Sequence, residues 1–315
     1  MLSRTADHVY WMARYMERAE NLARILDVHH RMSLLPQSAG EIERQWTATL
    51  DIMGMLGAYR AQHDVIDTDT VMHFLMFDRD NPSSIVSCLR AARENAHTVR
   101  GTLTSELWEA INATWLKVND FAPSRLAETG PTEFFDWVKY RSHLSRGVTV
   151  GTMLRDEAFH FTRLGTFIER ADNTLRILDV KYHLLRGAHT PNDAAVDYYQ
   201  WSALLHSVSA FEIYRRVYRD QITPSRVAEL LLLRPDMPRS LAYCMREVYG
   251  LLQAVANGRS AETQRRAGEF EASLRFGRIE ELMRDGLHPY LDSALERILD
   301  LGQRISDDFL VPVTT

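Results

Sequence analysis

Two matched stretches hold the residues best placed to do chemistry. Tyr15 to Val28 reads YMERAENLARILDV, and Phe167 to Val180 reads FIERADNTLRILDV. Each sets a glutamate beside an arginine, Glu17-Arg18 in the first and Glu169-Arg170 in the second. Arg14, Glu20, Asn21 and Arg24 surround the first pair; Asp172, Asn173 and Arg176 follow the second. Such sets can grip an anion through guanidinium groups, move a proton through a carboxylate, or neutralise one another.

Spacing decides which side chains share a face. Successive helical residues turn by about 100°. Met12, Tyr15, Met16, Ala19, Leu22, Ala23 and Leu26 then form an apolar stripe that faces a core. Arg14, Glu17, Glu20, Asn21 and Arg24 fall on the other side, and Glu20 and Arg24 are four apart and can pair. Arg18 lies at the edge of the stripe, as does Arg170 in its own helix. A guanidinium held against apolar surface needs a carboxylate partner. The preceding glutamate points about 100° away. The repeat therefore suggests reciprocal pairs, Arg18 to Glu169 and Arg170 to Glu17, with acidic residues of other helices as the alternative. Two readings share these faces. One is ion pairing between packed helices, and the other is a cleft where both sets meet a ligand.

A second candidate is the turn Phe77-Asp78-Arg79-Asp80-Asn81-Pro82-Ser83-Ser84. Asn81 suits an N-cap and Pro82 the first helical position. Arg79 and Arg90 would flank free backbone N–H groups there, which makes an anion site or an ordinary cap. A metal is not expected. Glu94-x-x-His97 and Glu157-x-x-His160 fit the short motif of di-metal bundles. Glu94 and His97, however, have Gly250 and Gln253 at their matched positions. The chain has no G-x-x-x-x-G-K-[ST], G-x-G-x-x-G or G-x-S-x-G, and no cofactor is expected.

The elements that position these residues read as helices throughout. Apolar residues recur at spacings of three and four, without convincing alternation. Expected helices run over Leu2 to about Leu34 (closed by Pro36), Gly40–Tyr59, Thr68–Phe77, Asn81–Arg100, Thr104–Asn119 and Thr132–Arg146. In the second half they run over Met153–Arg186, Ala194–Arg219, Pro224–Leu233, Pro238–Asn257, Ser260–Phe276 and Pro289–Phe309. Pro123 to Pro131 reads as a linker and Val311 to Thr315 as a tail. The repeat continues through these elements. Trp46 matches Trp201, Tyr59-Arg60 matches Tyr214-Arg215, and Phe74–Arg90 matches Leu230–Arg246. The expected fold is all-α, two homologous halves, 1–150 and 151–315, of about six helices each, related by a pseudo-twofold.

The chain has 315 residues, 45% hydrophobic and 25% charged, which suits a globular protein with a sizeable core. A net charge of -5 gives no reason to expect nucleic-acid binding. Arginine dominates the basic residues, since only Lys117, Lys139 and Lys181 are lysines. Guanidinium groups suit buried pairs and bidentate contacts. Cys88 and Cys244 at matched positions read as small buried side chains. No run of 18 apolar residues predicts a membrane span, and the charged start lacks a secretory h-region, so the expected location is the cytoplasm.

The opening MLSRTADHVYWMARYMERAEN, the FDRDNPSSI block, the RENAHTVR and SELWEAIN run and FIERADNTLRILDV together resemble the bacterial alpha-E family. The resemblance covers nearly the whole chain. It implies an all-helical domain with a recurring Glu-Arg motif. It also implies a circularly permuted ATP-grasp protein and a transglutaminase-like protein as partners, and hence a peptide or amide-bond pathway. The family pattern has an arginine three residues before the second Glu-Arg, where this chain has Thr166. The expected function is a non-catalytic accessory protein that binds an anionic small molecule or peptide, one bearing a carboxylate. The alternative is an enzyme using Glu17 or Glu169 as acid, base or metal ligand.

Overall fold

The computed structural model describes residues 1–33, 38–121, 130–185 and 194–310. Among them are fifteen α-helices, one 3-10 turn (Val118–Asp120) and no strand. The first seven helices are α1 Ser3–Ser33, α2 Ala39–Ile52, α3 Leu56–Arg60, α4 Thr68–Met76, α5 Ile85–Thr98, α6 Ser105–Lys117 and α7 Thr132–Thr152. The other eight are α8 Glu157–Leu185, α9 Ala194–Ser207, α10 Phe211–Tyr218, α11 Pro224–Leu232, α12 Leu241–Ala254, α13 Ala261–Arg275, α14 Ile279–Asp285 and α15 Leu287–Phe309. The Pro36 stop, most of the Pro123–Pro131 linker and the 311–315 tail lie outside the described residues.

The two Glu-Arg helices, α1 and α8, pack most extensively against each other, and α5, α7, α12 and α15 pack around them. The close approach depends on Gly165, where a Cβ would clash with the carbonyl oxygen of Tyr10. One apolar core joins Met16, Leu22 and Leu26 of α1 to Trp46, Phe74, Phe134 and their neighbours. The other joins Val9 and Met12 of α1 to Phe167, Leu175, Leu230 and the later helices. Helix α1 thus feeds both cores, and α8 supplies the second. Cys88 and Cys244 are buried free thiols, pushed up to about 12 by burial.

Helix boundaries depart from expectation where local backbone geometry wins. Gly54 (φ 69°) separates α2 from α3, and Ser209 (φ 55°) separates α9 from α10, so neither Gly40–Tyr59 nor Ala194–Arg219 is one helix. Helix α7 runs past Arg146 to Thr152, and α14 is additional, giving more than six helices on each side. Asn81 does not cap α5. Ser84 does, its hydroxyl accepting from Ser87 N–H, and Ser240 caps α12 in the same way through Tyr243 N–H.

Matched positions make matched contacts. Tyr59 Oη donates to Val65 O and Tyr214 Oη to Gln221 O, both at 2.8 Å. Ser84 Oγ donates to Asp78 O and Ser240 Oγ to Arg234 O. Arg24 Nη1 donates to Ser207 O at 2.7 Å, and Arg176 Nη1 to Ile52 O.

Candidate functional site

The polar faces of α1 and α8 meet at the centre, and the reciprocal pairs form. Arg18 reaches Glu169 through Nε (2.6 Å) and Nη2 (3.1 Å). Arg170 reaches Glu17 through Nε (2.8 Å) and Nη2 (3.0 Å). Both contacts are the two-pronged kind that a planar guanidinium makes best. Arg14 adds a 2.8 Å bond to Glu169, and its guanidinium lies 4.8 Å from the Trp11 ring.

Two arginines from distant parts of the chain complete the first set. Arg146 of α7 donates to Glu17 at 2.7 Å and also to Glu20. Arg239, in the turn before α12, donates to Glu20 and to Asn21 Oδ1 at 3.3 Å. Arg24 Nε holds Glu20 at 2.9 Å. Glu17, Glu20, Arg24, Arg170 and Arg239 are all buried. Burial pushes the Glu17 carboxyl up, but Arg170 and Arg146 outweigh it and hold it at about 2. Burial is likewise outweighed at Glu20 by Arg239 and Arg146, which hold it well below the usual range. At Glu169 Arg18 and Arg14 win, again at about 2.

The second set is less full. Asp172 pairs with Arg176 through Nε (2.8 Å) and Nη2 (3.1 Å). Beside it lies a cavity of about 190 Å³ lined by Arg14, Arg18, Asn21, Glu169, Asp172, Asn173 and Arg176, with Met53, Met55, Ser83 and the exposed Leu299 among its other walls. Asn21 and Asn173, matched in the repeat, are 4% and 5% exposed. Neither Nδ2 has a hydrogen-bond partner among the described residues. Both residues line the cavity, and buried amide donors without acceptors are costly unless an oxygen acceptor reaches them.

Seven of the residues singled out from sequence thus share this cavity. Glu17, Glu20, Arg24 and Arg170 stand behind it in the filled ion-pair cluster. Of the Asn81 turn only Ser83 lines the cavity; Asn81, Arg79 and Arg90 do not, and Asn81 is internally committed. Asn81 Nδ2 donates to Phe74 O and its Oδ1 accepts from Ser83 N–H, both at 3.0 Å, while Arg79 and Arg90 lie exposed. Sequence reasoning missed Ser83, Arg146 and Arg239 as parts of the centre. The signal for two of them was present, since Pro82-Ser83-Ser84 matches Pro238-Arg239-Ser240.

The Glu-x-x-His pairs do not converge. Glu157 is tied to the Met1 amino group and Glu94 to Arg93. Among the described residues, Asp179, His288 and Asp292 bring possible ligand atoms within 4.8 Å of one another, beside a cavity of about 250 Å³ that shares Arg176 with the central one. His288 Nδ1 lies 2.7 Å from Asp179 Oδ1.

Comparison places this helical architecture in a family. Residues 1–310 match the model of the Alpha-E family, described as a predicted alpha-helical domain with a conserved ER motif. The chain belongs to that family, and Glu17-Arg18 and Glu169-Arg170 are its two Glu-Arg dipeptides in the central helices. Relatives include uncharacterised proteins of Mycobacterium bovis and Mycobacterium tuberculosis, each 25% identical over 319 residues. Those matches take in 94% of this chain and 35% of each relative, so the chain spans about a third of their length. No solved structure matches. No helix among the described residues is long and apolar enough to cross a membrane.

Proposed function

We propose that this protein is a binding component for a carboxylate-bearing peptide or metabolite, held in the cavity between α1 and α8. The observation that carries the reading is the pair of buried, unpartnered donors on Asn21 and Asn173, set beside Arg14, Arg18 and Arg176. Amide N–H and guanidinium groups together suit a carboxylate. Size supports a small guest. A volume of about 190 Å³ equals roughly six waters at ~30 Å³ each and lies below the ~300 Å³ lower end for drug-sized ligands. The end of a peptide or a small acid fits that space better than a nucleotide.

Acid–base work by Glu17 or Glu169 is the weaker reading. A general base works best with a pKa near the working pH, and both carboxyls are held at about 2 by guanidiniums that occupy their oxygens. The repeated contacts support a pseudo-twofold relation between residues 1–150 and 151–315. Family resemblance supports a circularly permuted ATP-grasp amide ligase and a transglutaminase-like protein as partners, and a place in peptide modification in the cytoplasm.

Titration calorimetry with glutarate tests the cavity. Binding to the wild type and its loss in Asn173→Leu is the expected result; equal affinity in both refutes the reading. Co-purification with a circularly permuted ATP-grasp protein of the same cell tests the partnership; its absence from the purified complex counts against it.

A further inference from the structure

The two carboxylate sets differ by one guanidinium. Glu20 accepts from Arg24, Arg146 and Arg239, whereas its matched residue Asp172 accepts from Arg176 as its one arginine among the described residues. The role of Arg146 at Glu17 has a visible compensation at Glu169. Arg14 bonds that carboxylate from within α1, and Gly302 of α15 leaves room beside the Arg14 guanidinium, 3.9 Å from where a Cβ would lie. The loss of Arg239's counterpart has none. Its matched residue is Ser83, which also follows a proline and precedes the helix-capping serine. Ser83 stops short of the centre, and the cavity lies where the longer side chain would reach. On the filled side, the Arg239 guanidinium meets Glu20, Glu17 (3.4 Å) and Asn21 Oδ1 (3.3 Å). The matched groups on the open side are Asp172, Glu169 and Asn173, and all three line the cavity.

We infer that the cavity binds a zwitterion of the amino-acid class, whose cationic group takes at Asp172 the place that Arg239 takes at Glu20, and whose carboxylate meets Arg18 and the amides of Asn21 and Asn173. The inference rests on the carboxylate-binding reading above and adds a cation subsite to it. The lining carries both signs: Arg14, Arg18 and Arg176 offer donors to a ligand carboxylate, while Asp172, with one arginine where Glu20 has three, retains accepting capacity for the ligand's own cation. A carboxylate alone would use the donors and leave the remaining accepting capacity of Asp172 unused.

The test compares whole amino acids with their single-charge fragments. L-glutamate and L-arginine are titrated into the full chain beside glutarate, which lacks the amino group, and agmatine, which lacks the carboxylate. The expected result is that L-glutamate binds about tenfold or more tighter than glutarate, a difference of ~1.4 kcal/mol, and that L-arginine binds tighter than agmatine. If glutarate binds as well as glutamate while arginine still binds tighter than agmatine, the cation subsite is wrong and the carboxylate site survives; if agmatine binds as well as arginine, the carboxylate site itself is wrong. If none of the four binds, both readings fall. Substitution at Ser83 supplies a readout without ligand. Ser83→Arg should fill the subsite from within, raise Tm and abolish amino-acid binding. Ser83→Met, of similar reach but uncharged, should lower Tm. A Ser83→Arg protein that unfolds no later than Ser83→Met, or still binds the amino acid, overturns the inference.

Discussion

Arg170 holds Glu17 across the interface of α1 and α8 through two parallel hydrogen bonds, and both residues are buried. Glu17 keeps Arg146 as a second partner at 2.7 Å. Truncating Arg170 therefore leaves the carboxylate partly compensated, yet opens a hole in a buried network. Arg170→Ala should cost about 3–5 kcal/mol, the range for breaking a buried pair. Arg18→Ala should cost less, because the Arg18 side chain is 26% exposed and Arg14 remains on Glu169. Denaturant unfolding of the two variants checks the order. Double-mutant cycles on Arg170–Glu17 and Arg18–Glu169 should both give nonzero coupling.

Packing of the same two helices yields a sharper steric test. Gly165 lies against the backbone of Tyr10, where the clash is with a carbonyl oxygen that cannot swing aside. Gly165→Ala gains helix propensity of about 1 kcal/mol but must push α1 from α8. A net loss of about 1–3 kcal/mol, as for overpacked cores, is expected from thermal unfolding. Gly250→Ala, with open space around its Cβ position in α12, should be neutral or slightly stabilising.

The parts legible from sequence were those that local spacing controls. Apolar spacing of three and four revealed the helices, and the edge position of Arg18 and Arg170 revealed that each needs a carboxylate from the other helix. Arg146 and Arg239 were harder to place because they enter the centre from α7 and from the turn before α12. No periodicity links a residue to a partner more than a hundred positions away. The break at Gly54 had a glycine to mark it; that at Ser209 places a serine at φ 55° and had no such mark. Asn81 met the local rule for a cap, but Ser84 stood three residues on with the same ability, and the backbone turned there. That Ser83 lines the cavity while its matched residue Arg239 reaches Glu20 became visible only in three dimensions.

Acid should loosen the centre in a defined window. Glu17 and Glu169 are held at about 2 against an ordinary value of 4.5. Their folded-state pKa values are depressed, so their stabilisation is fully present above about pH 4.5 and is lost as pH falls towards 2. Unfolding free energy should therefore decline steeply with acid across that window. Glu17→Gln removes one titrating group. The variant should be strongly destabilised at neutral pH and much closer to wild type near the acid limit. A constant difference between the two proteins across the window would contradict the assignment.

The last prediction separates binding from folding at the cavity. Asn173 is 5% exposed with no partner for its Nδ2 among the described residues. An unmet buried donor costs about 1–3 kcal/mol, and an apolar replacement of similar shape removes that penalty. Asn173→Leu should therefore leave the unliganded protein as stable as wild type, or more stable. A side chain present only for packing would give the opposite sign, a loss on substitution. The same change removes one of two donors from a carboxylate site and should weaken glutarate or amino-acid binding by at least about tenfold, equivalent to a net charged hydrogen bond of ~1.5 kcal/mol or more. Asn21→Leu differs, because Asn21 Oδ1 also accepts from Arg239 at 3.3 Å. It should lose binding and also some stability, since it leaves a buried guanidinium short of an acceptor. Thermal unfolding and calorimetry on both variants read these two signs independently. A higher Tm with lost binding at Asn173, against a lower Tm with lost binding at Asn21, is the pattern a ligand site on this face requires.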